Sequence, residues 1–288
     1  METINCDLCG CSNATYLFSE RGYLLQRCRE CGMLYVNPRP SVEEQSKWVE
    51  EGRTAGQSPI TLTDHYSDNS RRLQSYYCHV LNLLEPSRVP GAILLDMGCA
   101  TGGLMAAAVA RGWQAAGIEP NLTRAELAKA HGRIYRSIEE VPRNLTAITL
   151  VNVFSHLRSP RAFFQQAAET LSPGGRLYLK TGELGRIRKS LLRDWEIPDH
   201  LFFAGLGCVE KYLDEAGLTV VEKRRTDPVA EQFSEESLEM RGRSFPAYVV
   251  KRVISMTPGV RAALIMGLRI WRFGAEVYSI EVVAEKAC

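Results

Sequence analysis

The residues best suited to chemistry begin at Cys6-Asp-Leu-Cys9-Gly10 and Cys28-Arg-Glu-Cys31-Gly32, two CxxCG knuckles separated by 18 residues. Paired thiolates at this spacing are the ligand set of a zinc ribbon, in which four sulfurs surround one tetrahedral ion. Gly10 and Gly32 let the chain turn sharply behind each knuckle, where a Cβ would obstruct it. Cys6, Cys9, Cys28 and Cys31 fill a zinc ion's four positions, so the expected metal is structural and has no open position for Lewis-acid chemistry. Cys11 is a nearby fifth thiol, and Cys78, Cys99, Cys208 and Cys288 are scattered through the rest of the chain. Scattered cysteines behave as small apolar residues.

A second constellation follows at Leu94-Leu95-Asp96-Met97-Gly98-Cys99-Ala100-Thr101-Gly102-Gly103, where a strand pattern runs into a helix through glycines. Such a turn admits a ligand close to the backbone and marks a nucleotide site. Asp96 would repel a pyrophosphate and suits a cationic ligand. S-adenosylmethionine carries a sulfonium and an ammonium group, and its ribose presents two hydroxyls to an acid such as Glu119 at the end of the next strand. The plainer alternative is a structural strand-to-helix turn with two surface acids.

These residues need a frame. Helical spacing predicts a helix over Asp64 to Leu84, stopped by Pro86 and Pro90. Strands are expected at Ala92 to Met97, Gln114 to Glu119, Ile134 to Arg136, Ala147 to Val153, Arg176 to Thr181, Thr219 to Arg225 and Glu276 to Ala284. Helices are expected between them at Leu104 to Arg111, Leu122 to His131, Arg161 to Leu171 and Gly207 to Ala216, with Pro173-Gly174-Gly175 as a turn. This alternation implies an α/β fold with a doubly wound, Rossmann-like sheet. The expected organisation is a zinc-binding module over 1–40, a polar connector over 41–63, and a domain over 64–288 with an insertion at 227–274 before the last strand. Module and domain are expected to be separate.

Over residues 64 to 288 the chain resembles the class I S-adenosylmethionine-dependent methyltransferases. LLDMGCATGG and GIEP carry the resemblance, with VNVFSHLRSP, LSPGGRLYLKTGE and PDHLFFAGLGCVEKYLDEAGLTVV, the last similar to a signature of small-molecule members. The resemblance implies a seven-stranded sheet whose last strand is antiparallel. It also implies cofactor contacts from Asp96, Gly98, Ala100, Gly102 and Glu119, with Ile138 beside the adenine and Asn152 and Val153 lining the pocket. Ala100 stands where a Gly is common, a change that matters if the residue needs a positive φ. Ser155 stands before His156 where many relatives have an acidic residue.

Methyl transfer to a hydroxyl or amine needs alignment with the sulfonium and removal of a proton. His200, preceded by Asp199, follows the fifth strand at the edge where open sheets bind substrates, so it is expected to be the base with Asp199 orienting it. His156 is the other candidate, and a packing role is the alternative for each. Tyr66, Tyr76 and Tyr77 are candidates for a lid, and Trp195 for the acceptor pocket or the core.

Composition bounds the partners. The 288 residues contain 35 Lys and Arg against 33 Asp and Glu, a formal charge of +2, so no chain-wide basic field points to nucleic acid. Residues 1–63 hold six Lys and Arg against eight Asp and Glu, an unfavourable balance for a phosphate-binding ribbon. An RNA methyltransferase that uses its zinc module for recognition is therefore the second reading, and a noncatalytic cofactor-binding protein the third. The first is methylation of a small molecule, with a hydroxyl of a sugar or secondary metabolite as the acceptor. Arg186, Arg188, Lys189 and Arg193 form one basic stretch, and residues 241–272 another with seven Lys and Arg and no acid. The latter reads either as an amphipathic surface for a membrane or anionic substrate, or as a packed cap with a solvated face. No apolar run reaches the roughly 18 residues of a transmembrane helix, and no basic-then-apolar leader opens the chain, so a cytoplasmic protein is expected.

Overall fold

The computed structural model describes residues 1–50, 71–187, 195–226 and 275–287, with positions 259, 263 and 267. Tyr66, most of the 227–274 insertion and the basic positions 188, 189 and 193 lie outside the described residues. Among the described residues, one sheet has seven strands and a second has four.

The larger sheet contains β4 (Ile93–Met97), β5 (Gln114–Ile118), β6 (Arg133–Tyr135), β7 (Leu145–Val151), β8 (Leu171–Ile187), β10 (Leu218–Thr226) and β11 (Ala275–Lys286). Their spatial order is β10-β11-β8-β7-β4-β5-β6. β4 pairs parallel with β5 and β7, whereas β11 runs antiparallel to both β8 and β10. The central strands read as apolar runs because helices cover both faces, and Leu94, Leu95, Ile148 and Leu150 are fully buried. Chain order reverses direction at β4: β5 and β6 build outward on one side, β7 and β8 on the other. The crevice at the carboxyl ends of β4 and β7 is the place where open sheets bind ligands.

The expected strands and helices recur with boundary shifts. α2 is described as Arg71–Leu84, the part of the expected helix from Asp64 that lies within the described residues. α3 covers Gly103–Ala110 and α6 Leu206–Glu215. α4 (Leu122–Ala128) is capped by the Asn121 side chain, which accepts the Arg124 N–H, and tightens into a 3-10 turn over Lys129–His131. α5 (Pro160–Thr170) starts where Ser159 caps the Ala162 N–H and Pro160 supplies the fixed φ of a first helical residue. Pro173-Gly174-Gly175 is absorbed into the start of β8 instead of preceding it: Leu145 faces Leu171 while Ala147 faces Arg176, and Gly174 takes φ +72° inside this irregularity.

The N-terminal module departs most from expectation. β1 (Ala14–Glu20) and β2 (Tyr23–Cys28) are joined by Arg21-Gly22, both at positive φ, a two-residue turn whose twist matches a hairpin. β3 (Leu34–Val36) adds a third strand, and the fourth is β9 (Phe202–Phe203), which follows His200 in the chain. The ribbon is therefore not a separate module. Leu8, Met33 and Tyr35 belong to the same buried cluster as Leu150, Phe154, Phe164 and Tyr212. Asp7 fixes the junction by accepting from Ser159 Oγ, the Arg161 N–H in the first turn of α5 and the Tyr212 hydroxyl, at 2.7, 2.9 and 2.9 Å. The expected connector also holds structure, α1 (Val42–Glu50), where Ser41 and Glu44 form a reciprocal capping box.

Candidate functional site

At the amino end, the ligand atoms of Cys6, Cys9, Cys28 and Cys31 all lie within 4.8 Å of one another. Cys6 and Cys31 sulfurs are 3.5 Å apart, and Cys9 and Cys28 sulfurs 3.4 Å. A tetrahedral ion with bonds of about 2.3 Å separates its sulfurs by about 3.8 Å, so the four residues fit zinc with small adjustments. Burial pushes the Cys6 thiol up to about 12 and raises Cys31, whereas Cys28, despite burial, is brought down to about 7 by hydrogen bonds from the Cys31 and Glu30 backbone, so a divalent cation is the counter-charge that Cys6 and Cys31 would need as thiolates.

At the reversal point, the Asp96 carboxylate is buried at the end of β4 and accepts the Thr149 hydroxyl at 2.6 Å. Burial lifts its pKa to about 7, and the nearby Glu119 carboxylate adds to the rise. Gly98 and Gly102 have φ of +67° and +87°, and a Cβ on Gly98 would come within 2.5 Å of Val153 Cγ2. Val153 thus packs directly on the glycine turn. Glu119, just after β5, is held by two amides: Oε2 accepts from the Ala100 N–H at 3.0 Å and Oε1 from the Asn121 N–H at 2.9 Å. Each oxygen keeps a lone pair, so the carboxylate is oriented and can still receive two hydroxyls. Buried and oriented acids beside a glycine-bearing turn at the carboxyl end of the sheet fit a cationic ligand that carries a diol.

Asn152 adopts φ +55° and leaves β7, so Asn152 and Val153 reach the crevice from the loop beyond the strand and not from the strand itself. Ile138 is buried in the main cluster, in a 3-10 turn after β6.

Ala100 has φ +48°, in the left-handed region where a Cβ costs about 1–2 kcal/mol. Replacing it with glycine removes that strain and adds chain entropy to the unfolded state. Ala100→Gly is therefore expected to stabilise the protein by about 0.5–1 kcal/mol, read as a higher thermal midpoint. An unchanged or lower midpoint would show that the turn carries no such strain.

Further along the same edge lies a cavity of about 250 Å³, lined among others by Ser155, Thr181, Glu183, Trp195, Glu196 and His200. The expected His200–Asp199 pairing is not what the structure shows. The carboxylate set against His200 is that of Glu196, with Oε2 3.6 Å from Nε2. The Asp199 backbone carbonyl instead lies 2.9 Å from His156 Nδ1. Ile197–Asp199 form a turn closed by the His200 N–H on the Glu196 carbonyl at 3.0 Å, which sets the residue at i−4 beside the ring. The two imidazole centroids lie 4.8 Å apart with the rings tilted at 58° to each other. Burial, then the neighbouring His156, pushes the His200 pKa down to about 3, and burial lowers that of His156.

Three cavity residues escape sequence reasoning. Glu183 is buried, accepts the Leu206 N–H at 2.9 Å and pairs with Arg225 at 2.6 Å. It lies inside LSPGGRLYLKTGE, where nothing in the spacing distinguishes it. Glu196 and Thr181 likewise carry no local signal. Trp195 serves both readings, lining the cavity and packing edge-on against Phe203 at 6.4 Å. Tyr77 is core, and the Tyr76 hydroxyl is 3.1 Å from that of Tyr178, so these two pack and do not form a lid.

A family model described as a methyltransferase domain matches residues 70–223. The ubiquinone biosynthesis O-methyltransferase of Xanthomonas campestris pv. campestris is 34% identical over 106 residues, which cover 32% of this chain and 44% of the relative. The chain thus spans less than half the length of that relative. Among solved structures, phosphoethanolamine N-methyltransferase 2 of Haemonchus contortus with S-adenosyl-L-methionine superposes with a TM-score of 0.56 at 13% identity, covering 95% of this chain and 71% of that one. Geranyl diphosphate C-methyltransferase of Streptomyces coelicolor A3(2) gives 0.54 at 17% identity, covering 85% and 98%. These likenesses concern the fold. Among the described residues, no helix is long and apolar enough to cross a membrane.

Proposed function

From a chain that belongs to the class I S-adenosylmethionine-dependent methyltransferases, we propose methyl transfer from that cofactor to a hydroxyl of a small molecule, a sugar or a secondary metabolite. The observation that carries the reading is the pair of carboxylates at the glycine turn: Asp96, buried and bonded to Thr149, and Glu119, held by the Ala100 and Asn121 amides. The cofactor supplies an electrophilic methyl group when bound. Glu119 would receive the ribose hydroxyls, Asp96 would balance positive charge, and Gly98 and Gly102 would let the backbone approach. The neighbouring cavity, with hydroxyl and carboxylate groups on aromatic walls, suits a polar ring-sized acceptor. There His200 would take the acceptor proton while His156 and Glu196 hold the ring environment. The O-methyltransferase named among the relatives supports an oxygen acceptor.

Titration with S-adenosylmethionine tests the cofactor site. Glu119→Ala loses charge-assisted bonds and is expected to weaken binding by about 1.5–3 kcal/mol, roughly 10- to 150-fold in Kd. Asp96 adds a pH signature. Its carboxyl is half protonated near 7 in the free protein, and only the ionised form favours a cation, so affinity should rise from pH 6 to 8. Asp96→Asn should flatten that slope. Unchanged affinity in Glu119→Ala together with a pH-independent wild type would sink the assignment. Release of S-adenosylhomocysteine with hydroxylated acceptors then tests the transfer itself.

A further inference from the structure

We propose that the four-cysteine module is a positioning element for the acceptor cavity, and that Glu20 at the tip of its hairpin sets the shape of the segment bearing His200; the functional part of this rests on the reading of His200 as the base. Glu20 is the last residue of β1, with its side chain only 16% exposed. Its two carboxylate oxygens are both spent on one stretch of backbone: Oε2 accepts the Trp195 N–H and Oε1 the Ile197 N–H, each at 2.9 Å. Arg21, next along the hairpin, donates to the Ile197 carbonyl at 3.2 Å.

The residue between the two captured amides is Glu196, at φ +59°. This is left-handed backbone, which a side chain disfavours. N–H groups around such a residue converge into a concavity that binds an anion, and Glu20 is the anion that fills it. The conformation of Glu196 matters because its carboxylate is the one set 3.6 Å from His200 Nε2, and its carbonyl accepts the His200 N–H at 3.0 Å. Beyond His200 the ribbon takes hold again. The Val36 N–H donates to the Leu201 carbonyl at 2.9 Å, and β3 pairs with β9 through Leu34 with Phe203 and Tyr35 with Phe202. Residues 195–203 are thus gripped on both sides of His200 by the module, whose Phe18, Leu25 and Val36 share a buried cluster with Trp195, Ile197 and Phe203.

Glu20→Gln, nearly isosteric but with one acceptor oxygen, tests the proposal in the zinc-loaded full chain. Amide exchange at Trp195 and Ile197 should quicken at least tenfold and the His200 ring nitrogen resonances should move. Amides of Phe18 and Leu25, and the Kd for S-adenosylmethionine, should stay within twofold. Wild-type exchange and an unmoved His200 ring would overturn the proposal. Loss of protection throughout the ribbon would overturn it too, because Glu20 would then serve hairpin stability. If Glu20→Gln does not accumulate, Glu196→Gly decides the matter with the hairpin intact. Glycine tolerates the left-handed backbone, so the two amides should stay protected while the His200 ring resonances move; exposed amides or an unmoved ring would overturn the clamp. None of these readouts needs an acceptor. A His200→Ala variant with unimpaired turnover would remove the base role and leave the clamp standing.

Discussion

His200→Ala is expected to lower kcat by roughly 10²- to 10⁴-fold, the usual contribution of a positioned general base, with S-adenosylmethionine affinity preserved. The ring is placed for this work by its surroundings more than by its own chemistry. It lines the cavity and has the Glu196 carboxylate at 3.6 Å to stabilise an imidazolium once a proton arrives. Burial and His156 keep it neutral down to about pH 3, so the free base is present throughout the physiological range. Turnover on the acid side should therefore not follow an ordinary histidine near 6.5. The same shift affects folding. An unfolded chain would protonate His200 near 6.5 while the folded chain leaves it neutral to about 3, so stability falls as pH drops through that window. His200→Ala should lose this acid sensitivity, in addition to its turnover. Near-normal kcat in a folded His200→Ala variant would eliminate the mechanism and make His156→Ala the next measurement.

We propose that Cys6, Cys9, Cys28 and Cys31 hold one zinc per chain, and its chelation should then give the largest loss of stability. Metal binding at a four-cysteine site is worth on the order of 10 kcal/mol or more, comparable with the whole stability of a typical domain. Because Leu8, Met33 and Tyr35 are part of the central cluster, losing the ribbon opens that cluster and frees β9 from its partner β3. Chelator-treated protein is expected to show a lower thermal midpoint and faster amide exchange in residues 195–203 as well as in the ribbon, with metal analysis before and after. Cys28→Ser should reproduce the effect. The coupling runs mainly one way: Glu119→Ala touches neither the cysteines nor β9 and should leave the zinc content unchanged. Protein free of stoichiometric metal at full stability, or disulfides among Cys6, Cys9, Cys28 and Cys31, would refute the metal assignment.

Features that depend on neighbours in the chain could be read directly from residue order. Two CxxCG knuckles specify a ligand set because each pair is a local turn, and the sulfurs meet within 4.8 Å once the two turns face each other. Alternating apolar runs and punctuation determined the doubly wound sheet, and Asp96, Gly98, Gly102 and Glu119 were legible because a strand end, a tight turn and the next strand end are fixed at short range. Tertiary structure alone decided what joins distant segments. The ribbon's merger with the core depends on Asp7 meeting Ser159, Arg161 and Tyr212, contacts with no local signature. His200's carboxylate partner came out as Glu196 and not its neighbour Asp199, because a turn sets side-chain directions that adjacency does not reveal. Glu20 reads in the sequence as one more surface acid at a hairpin end. Its hold on Trp195 and Ile197, some 175 residues away, exists only because β3 and β9 share a sheet, and backbone pairing of that kind is set by which edges meet when the core closes.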